Sequence, residues 1–161
     1  MIAVVGIGSN LGDRHATILA AVAKLRAIPR VARVERSPIY ETEPVGGPPQ
    51  PPFLNAAALV ELPYVIAPAP FVAMLLAIET ALGRVRTVRF GPRTLDLDLL
   101  FSDEPPSHDP AATVPHPRLH ERPFALAPLL DLLPDARDPR GVPYAEILAR
   151  LDRSGIRRLD P

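Results

Sequence analysis

IAVVGIGSNLGD, residues 2–13, runs from a short apolar, partly β-branched stretch into a glycine-rich break, the pattern of a strand entering a turn. A helix is predicted next. Ile18, Leu19, Val22, Leu25 and Ile28 recur at helical spacing, Asp13 stands where a cap or an acid near the positive helix end belongs, and Pro29 stops the run. Beyond the helix, residues 31–42 and 53–62 carry strand alternation. Residues 44–52 between them hold five prolines and two glycines, too long a connection for an ordinary hairpin, so they form a loop with its own task or a tolerated insertion. Phe71, Leu75, Ile78 and Leu82 then step by three or four between Pro70 and Gly83, which suits a second long helix over residues 68–82. Residues 95–101 return to strand patterning, and shorter helices are predicted over 124–132 and 144–151. Strand, helix, strand, strand, helix, strand is the split βαβ order of a ferredoxin-like α+β sandwich, here βαββαβ with extra C-terminal helices.

The 161 residues are expected to form one domain over 1–161. A chain of this mass buries roughly 69% of its unfolded surface, so its core needs neither a disulfide nor a structural metal. Eighteen basic and 18 acidic residues balance, leaving no global field to hold a nucleic-acid backbone or an anionic membrane. The predicted central strands also lack the exposed aromatic pairs of RNA-binding sheets. Absence of cysteine excludes disulfide frameworks, zinc knuckles and thiol nucleophiles. The first apolar run is too short for a signal-peptide core and has no basic lead-in, and no segment approaches a membrane span, so a soluble cytoplasmic protein is expected. No apolar helix face is left over, which points to a monomer.

RVRTVRFGPRTLDLD, residues 84–98, carries the chemistry. Arg84, Arg86, Arg89 and Arg93 fall in ten residues, and no acid interrupts residues 80–95. Such a cluster repels itself. It is either a solvated basic loop or a set of guanidinium forks awaiting a polyanion. The alternation after it projects Asp96 and Asp98 from one strand face while the leucines enter the core. Paired carboxylates can sit on a wet sheet face, but divalent cations would relieve their repulsion, and Mg²⁺ suits a site with few protein oxygens because phosphate and water complete its shell. Metal and guanidinium together are what phosphoryl transfer requires.

The remaining clusters are more equivocal alone. GIGSNLGD lacks the Gly-Lys-Ser/Thr of a phosphate loop and the spacing of a dinucleotide fingerprint, so a tight turn and helix start is the plainer reading. His116, Arg118, His120, Glu121 and Arg122 crowd a proline-stiffened stretch without a zinc-binding helical frame, and suit phosphate or substrate contact, or simple surface exposure. Phe53 and Phe124 are either core rings or two plates gripping a flat heterocycle, with Asn55 offering donor and acceptor to its edge.

GSNLGDR at 8–14, YETEPVG at 40–46, FLNAA at 53–57, GRVR with FGPRTLDLDLL over 83–100, and VPHPRLHERPF at 114–124 appear together in one order. In this the chain resembles the 6-hydroxymethyl-7,8-dihydropterin pyrophosphokinase family of folate biosynthesis. The resemblance implies a ferredoxin-like fold and transfer of the β,γ-diphosphoryl unit of ATP to the hydroxymethyl oxygen of 6-hydroxymethyl-7,8-dihydropterin, releasing AMP. It implies two Mg²⁺ ions held by Asp96 and Asp98, with ATP as co-substrate, and action of Arg84 and Arg93 on the transferring group. It further implies ATP contacts at Glu79, Arg86, Thr113, His116 and Arg122, and pterin contacts at Thr42, Val45 and Asn55 between the rings of Phe53 and Phe124. Residues 44–52 and 84–92 match mobile loops. Phe53 stands where some relatives carry Tyr, Leu76 where some carry a polar nucleotide contact, and Phe90 where some carry Trp, in an arginine loop one residue shorter. No residue declares itself a general base. From other classes, a non-catalytic ferredoxin-like binding module and a Mg²⁺-dependent phosphohydrolase remain as readings, separated by whether a pterin alcohol accepts the phosphoryl group.

Overall fold

The computed structural model describes residues 1–84 and 89–159. β1 (Ile2–Ser9) is apolar along most of its length because both its faces meet a core: Ala3, Val5 and Ile7 join one, and Val4 joins the other. Among the described residues the order continues with α1 (Arg14–Arg26), β2 (Arg33–Arg36), β3 (Tyr40–Thr42), β4 (Phe53–Glu61), α2 (Pro68–Ala81), β5 (Asp96–Ser102), α3 (Pro123–Leu132), α4 (Tyr144–Ala149) and β6 (Ile156–Arg158), with a 3₁₀ turn at Leu119–Glu121. The sheet runs β5-β1-β4-β3-β6, with β2 beside β4, and every pairing is antiparallel. This is the ferredoxin-like arrangement expected. α1 and α2 cover one face, where Ile18, Val22, Leu25, Phe71 and Leu75 pack on β1, β4 and β5. α3 and α4 cover only part of the other, where Leu126, Leu129 and Tyr144 pack on Val4, Ala57 and Leu100. The uncovered part of that second face is the site. Among the described residues no helix is long and apolar enough to cross a membrane.

Three expectations need correction. Residues 31–42 form two short strands instead of one. Between them Ser37 donates its N–H to the Ala57 carbonyl and accepts the Ala57 N–H on its hydroxyl, both at 2.8 Å, while Pro38 has no N–H to extend a ladder. β6 carries no side-chain periodicity, since two of its three residues are exposed arginines, and only backbone pairing with β3 makes it a strand. The last helix ends at Ala149, short of residue 151.

The end of α2 sets the position of Arg84. Phe71, Leu75 and Glu79 form the buried stripe of this helix, spaced four apart, so it carries a carboxylate into its own core face. Gly83 adopts φ +87° just past the helix. The Gly83 N–H then reaches the Thr80 carbonyl and the Arg84 N–H the Glu79 carbonyl, each at 3.1 Å, a closure of the last turn that favours glycine. It returns Arg84 to the side of Glu79.

Candidate active site

Directly opposed residues of antiparallel strands share a face. Gly8 of β1 lies opposite Asn55 of β4 and Asp96 of β5, and Gly6 lies opposite Asp98. Thr42 of β3 lies opposite Phe53. One sheet face therefore presents Thr42, Phe53 and Asn55 on one flank and Asp96 and Asp98 on the other, with two glycines between. A Cβ on Gly8 would stand 2.9 Å from Asn55 Oδ1, and one on Gly6 would stand 3.1 Å from Leu100. The glycines keep the floor low.

Above this floor lies a cleft of about 430 Å³, lined by Thr42, Val45, Phe53, Asn55, Glu79, Arg84, Arg93, Asp96, Asp98, His116, Arg122 and Phe124, with Glu43, Val72, Leu76, Phe90, Arg118 and Glu121 also in its walls. Most residues singled out from sequence thus share one space. Thr113 is not in the wall; its hydroxyl caps the Asp109 carbonyl at 3.0 Å. Arg86 lies outside the described residues.

The arginines do not wait alone for an anion, as the run of bases without acids implied. Arg84 Nη1 lies 2.9 Å from Glu79 Oε1 and 2.6 Å from Asp96 Oδ1, and Arg93 Nη1 lies 3.2 Å from Asp96 Oδ2. The neutralising acids flank the run in sequence, on a helix and a strand that the fold brings over it. Glu79, only 3% exposed, also accepts the N–H of Leu97, the amide between the two aspartates, at 2.8 Å. It joins α2, Arg84 and the Asp-bearing strand. Its place on the apolar stripe of α2 was the sequence signal for this role. Arg93 also stacks over the Phe53 ring, 5.4 Å from its centroid.

Asn10, in sequence only one residue of a turn, is a second joint. Its Oδ1 accepts the Arg93 N–H at 2.9 Å, and its Nδ2 donates to Gln50 Oε1 at 2.9 Å and the Pro51 carbonyl at 3.0 Å. Gln50 in turn donates to the Phe90 carbonyl at 2.8 Å. The turn after β1 therefore ties the proline-rich loop to the arginine segment.

Asp98 opens 38% of its side chain to the cleft. Desolvation at the cleft floor first, and the neighbouring Asp96 charge second, push its carboxyl from 3.8 up to about 6, against the pull of Arg122, whose Nη1 is 3.7 Å away. His116 goes the other way. Burial first, then Arg122 and Arg118, bring it from 6.5 down to about 4, and its Nδ1 accepts the Arg118 N–H at 3.1 Å. At neutral pH it is an uncharged donor through Nε2.

These two shifts have opposite consequences. Folded His116 resists the proton that the unfolded chain takes up near 6.5, so its contribution to stability is full above that pH and is lost as pH falls towards 4. Folded Asp98 keeps a proton that the unfolded chain releases near 3.8, so its ionisation costs stability as pH rises from about 4 to about 6. In urea unfolding of the ligand-free protein, the stability difference between wild type and His116→Gln is expected to be larger at pH 7 than at pH 4.5. An equal difference at both would refute the assignment.

The donor set can be matched to a metal. Asp96 and Asp98 supply hard oxygens, and among the described residues no group of three His, Cys, Asp or Glu encircles an ion. Two carboxylates fit Mg²⁺, which takes its other ligands from water and phosphate, and do not fit a closed zinc site. Among the described residues, Nε of Arg84 and Nε of Arg93 are buried and have no acceptor.

Residues 4–134 match the model of the 7,8-dihydro-6-hydroxymethylpterin-pyrophosphokinase family. The chain belongs to this family. It is 41% identical over 155 residues to the 2-amino-4-hydroxy-6-hydroxymethyldihydropteridine pyrophosphokinase of Pseudomonas aeruginosa, covering 96% of this chain and 94% of that one. It is 40% identical over 156 residues to the enzyme of the same name from Bacillus subtilis, covering 97% and 89%. A solved HPPK-DHPS in complex with substrates superposes with a TM-score of 0.70 at 14% identity, over 98% of this chain and 47% of that one. Wild-type Plasmodium falciparum HPPK-DHPS gives 0.68 at 14% identity, over 98% and 47%. The chain spans about half the length of these solved proteins, and at such identity they speak for the fold alone. Membership makes the chain a pyrophosphokinase of folate biosynthesis, which sets aside the non-catalytic module.

Proposed function

We propose that this pyrophosphokinase binds 6-hydroxymethyl-7,8-dihydropterin on the Thr42–Asn55 flank of the cleft and the ATP triphosphate on the Asp96–Asp98 flank, and transfers the β,γ-diphosphoryl unit between them. The observation that carries this reading is the row Asn55, Gly8, Asp96 across three strands, which sets a polar edge-reader and a carboxylate either side of a side-chain-free floor. Asn55 Nδ2 donates to Thr42 Oγ1 at 2.6 Å, which leaves its carbonyl oxygen for the heterocycle's amino and ring N–H donors. Phe53 and Phe124 supply apolar plates on the same cleft. Each is also approached by a guanidinium, Arg93 over Phe53 and Arg122 over Phe124.

Asp96 and Asp98 would hold the Mg²⁺ ions. Held there, Mg²⁺ would supply charge neutralisation of the triphosphate. The pterin hydroxymethyl oxygen forms a bond to the β-phosphorus while the bond from that phosphorus to the α,β-bridging oxygen breaks, the hydroxyl proton passes to solvent, and AMP departs with the bridging oxygen. The chain's own part is alignment and charge. Arg84 and Arg93, both paired to Asp96, present guanidinium groups that can hold phosphate oxygens of the nucleotide. His116, neutral, and Arg122 flank the nucleotide side together with Glu79, whose task is to hold Arg84 and Leu97 in place.

The decisive assay is AMP release from ATP that requires both Mg²⁺ and the hydroxymethyl pterin. AMP release that does not require the pterin would overturn the placement of the acceptor on the Thr42–Asn55 flank. Gly8→Ala probes the floor. Its methyl group displaces only the tip of Asn55, so stability should hold within about 1 kcal/mol, while pterin affinity falls about tenfold, the worth of one lost hydrogen bond. Calorimetric titration with pterin and a non-hydrolysable ATP analogue checks this, and unchanged affinity would remove Asn55 from the pterin edge.

A further inference from the structure

Outside the cleft, charged side chains converge on the far side of β3. This strand has only three residues, yet it carries Thr42 and is held between β4 and β6. Tyr40 and Thr42 face the cleft side of the sheet, so Glu41 faces the other, towards α1. There its two oxygens are divided. Oε2 lies 3.2 Å from Arg14 Nη2 on α1, and Oε1 lies 2.9 Å from Arg157 Nη2 on β6, the residue directly opposite it in the ladder. Arg14 uses its other nitrogen, Nη1, to donate to the Pro52 carbonyl at 3.0 Å. At the other end of the proline-rich loop, the Glu43 N–H is received by the Gly155 carbonyl at 3.0 Å, one residue before β6 begins. One carboxylate thus links both stems of the 44–52 loop, the first through β6 and the second through Arg14.

We propose that Glu41 is a positioning residue for the pterin flank: through Arg14 and Arg157 it holds the two stems of the 44–52 loop and the register of β3, and so the placement of Thr42 and Asn55. This rests on the pterin reading of that flank. Glu41 and Arg14 are 26% and 30% exposed, whereas Arg157 is 71% exposed. The Arg157 bond is the shorter but the more screened by water, and only the Arg14 bond continues to the Pro52 carbonyl, so Arg14 carries more of the effect on the loop. The hydrogen bond from Arg157, and after it that from Arg14, hold the Glu41 carboxyl below its ordinary range, so the carboxylate is charged throughout the neutral region.

The test uses the full chain and separates binding from turnover. Glu41→Ala and Arg14→Ala should each weaken 6-hydroxymethylpterin binding about tenfold, measured with a non-hydrolysable ATP analogue present. Affinity for that analogue alone should stay within twofold, and kcat at saturation within threefold. Glu41→Gln, which keeps one acceptor and the shape, should recover part of the loss, and Arg157→Ala should cost less than threefold. Because Glu41 acts through Arg14, the double variant should bind pterin no worse than the weaker single variant. Pterin and nucleotide affinities falling together, no loss of pterin affinity, or additive losses in the double variant would overturn the proposal. If Glu41→Ala fails to fold, Glu41→Gln and Arg14→Ala carry the same comparison. Asn55→Ala is the control for the underlying reading. If it weakens pterin binding while the Glu41 variants do not, only the Glu41 role falls; if it has no effect, the pterin flank is misassigned and both fall.

Discussion

Asp98→Asn is expected to lower kcat by about a thousandfold or more while pterin affinity changes only a few-fold, the scale expected when a group acts on transition-state charge. Asp98 sits opposite Gly6 at the cleft floor and faces Arg122. Asparagine keeps the shape and removes the charge that a cation needs. Retained pterin affinity is a matter of distance along the sheet: Gly6 and Gly8 of β1 separate Asp98 and Asp96 from Asn55, and Thr42 and Phe53 lie further along the same flank. Single-turnover kinetics beside equilibrium pterin titration distinguishes the outcomes, and unchanged turnover would end the metal-ligand assignment. A Mg²⁺ titration of the variant adds a second measure, since a lost ligand should raise the half-saturating concentration.

The second large effect concerns the two arginines, which the structure separates. Arg93→Ala should lower kcat about a thousandfold, as removal of an arginine serving phosphoryl transfer does, with ATP affinity kept within about tenfold. Equal loss of both would mean that Arg93 binds the ground state as strongly as the transition state. Arg84→Ala should lose turnover similarly and also stability. It takes from Glu79, 3% exposed, one guanidinium that is itself only 9% exposed, and breaking a buried pair from one side costs about 3 kcal/mol or more. Urea unfolding reads that loss. Arg84→Lys should recover part of the stability but little of the rate, because an ammonium cannot bridge Glu79 and Asp96, or two phosphate oxygens, as a planar fork does. Equal stability of Arg84→Ala and wild type would show that Glu79 is satisfied by other partners.

The outcome of reading the sequence differs from element to element. α1 and α2 were legible because their apolar residues repeat every three or four positions, and capping signals such as Asp13, whose side chain accepts the Ala16 N–H, are local. The aspartates of β5 were legible for the same reason, since alternation sets both on one face whatever else the chain does. β6 was not, because its partners are residues more than a hundred positions away and its own side chains are polar. The β2–β3 break was hidden because Ser37 is diverted to Ala57, a residue of another strand. Thr113 was placed by resemblance near the nucleotide, and in the structure it closes a local turn on Asp109.

Residue order alone controls whatever short-range sterics and periodicity govern: the helices, the strand bearing two carboxylates, the glycine interruptions and the inventory of guanidinium groups. Pairing is settled only when the chain is folded. Arg84 meets Glu79 through a turn of Gly83 and both meet Asp96 across the α2–β5 contact, while Glu41 finds one partner on α1 and another at the far end of the chain. Electrostatic partners are chosen by distance in space, and that distance is set by which strands lie side by side, a property of the whole sheet that no stretch of sequence contains.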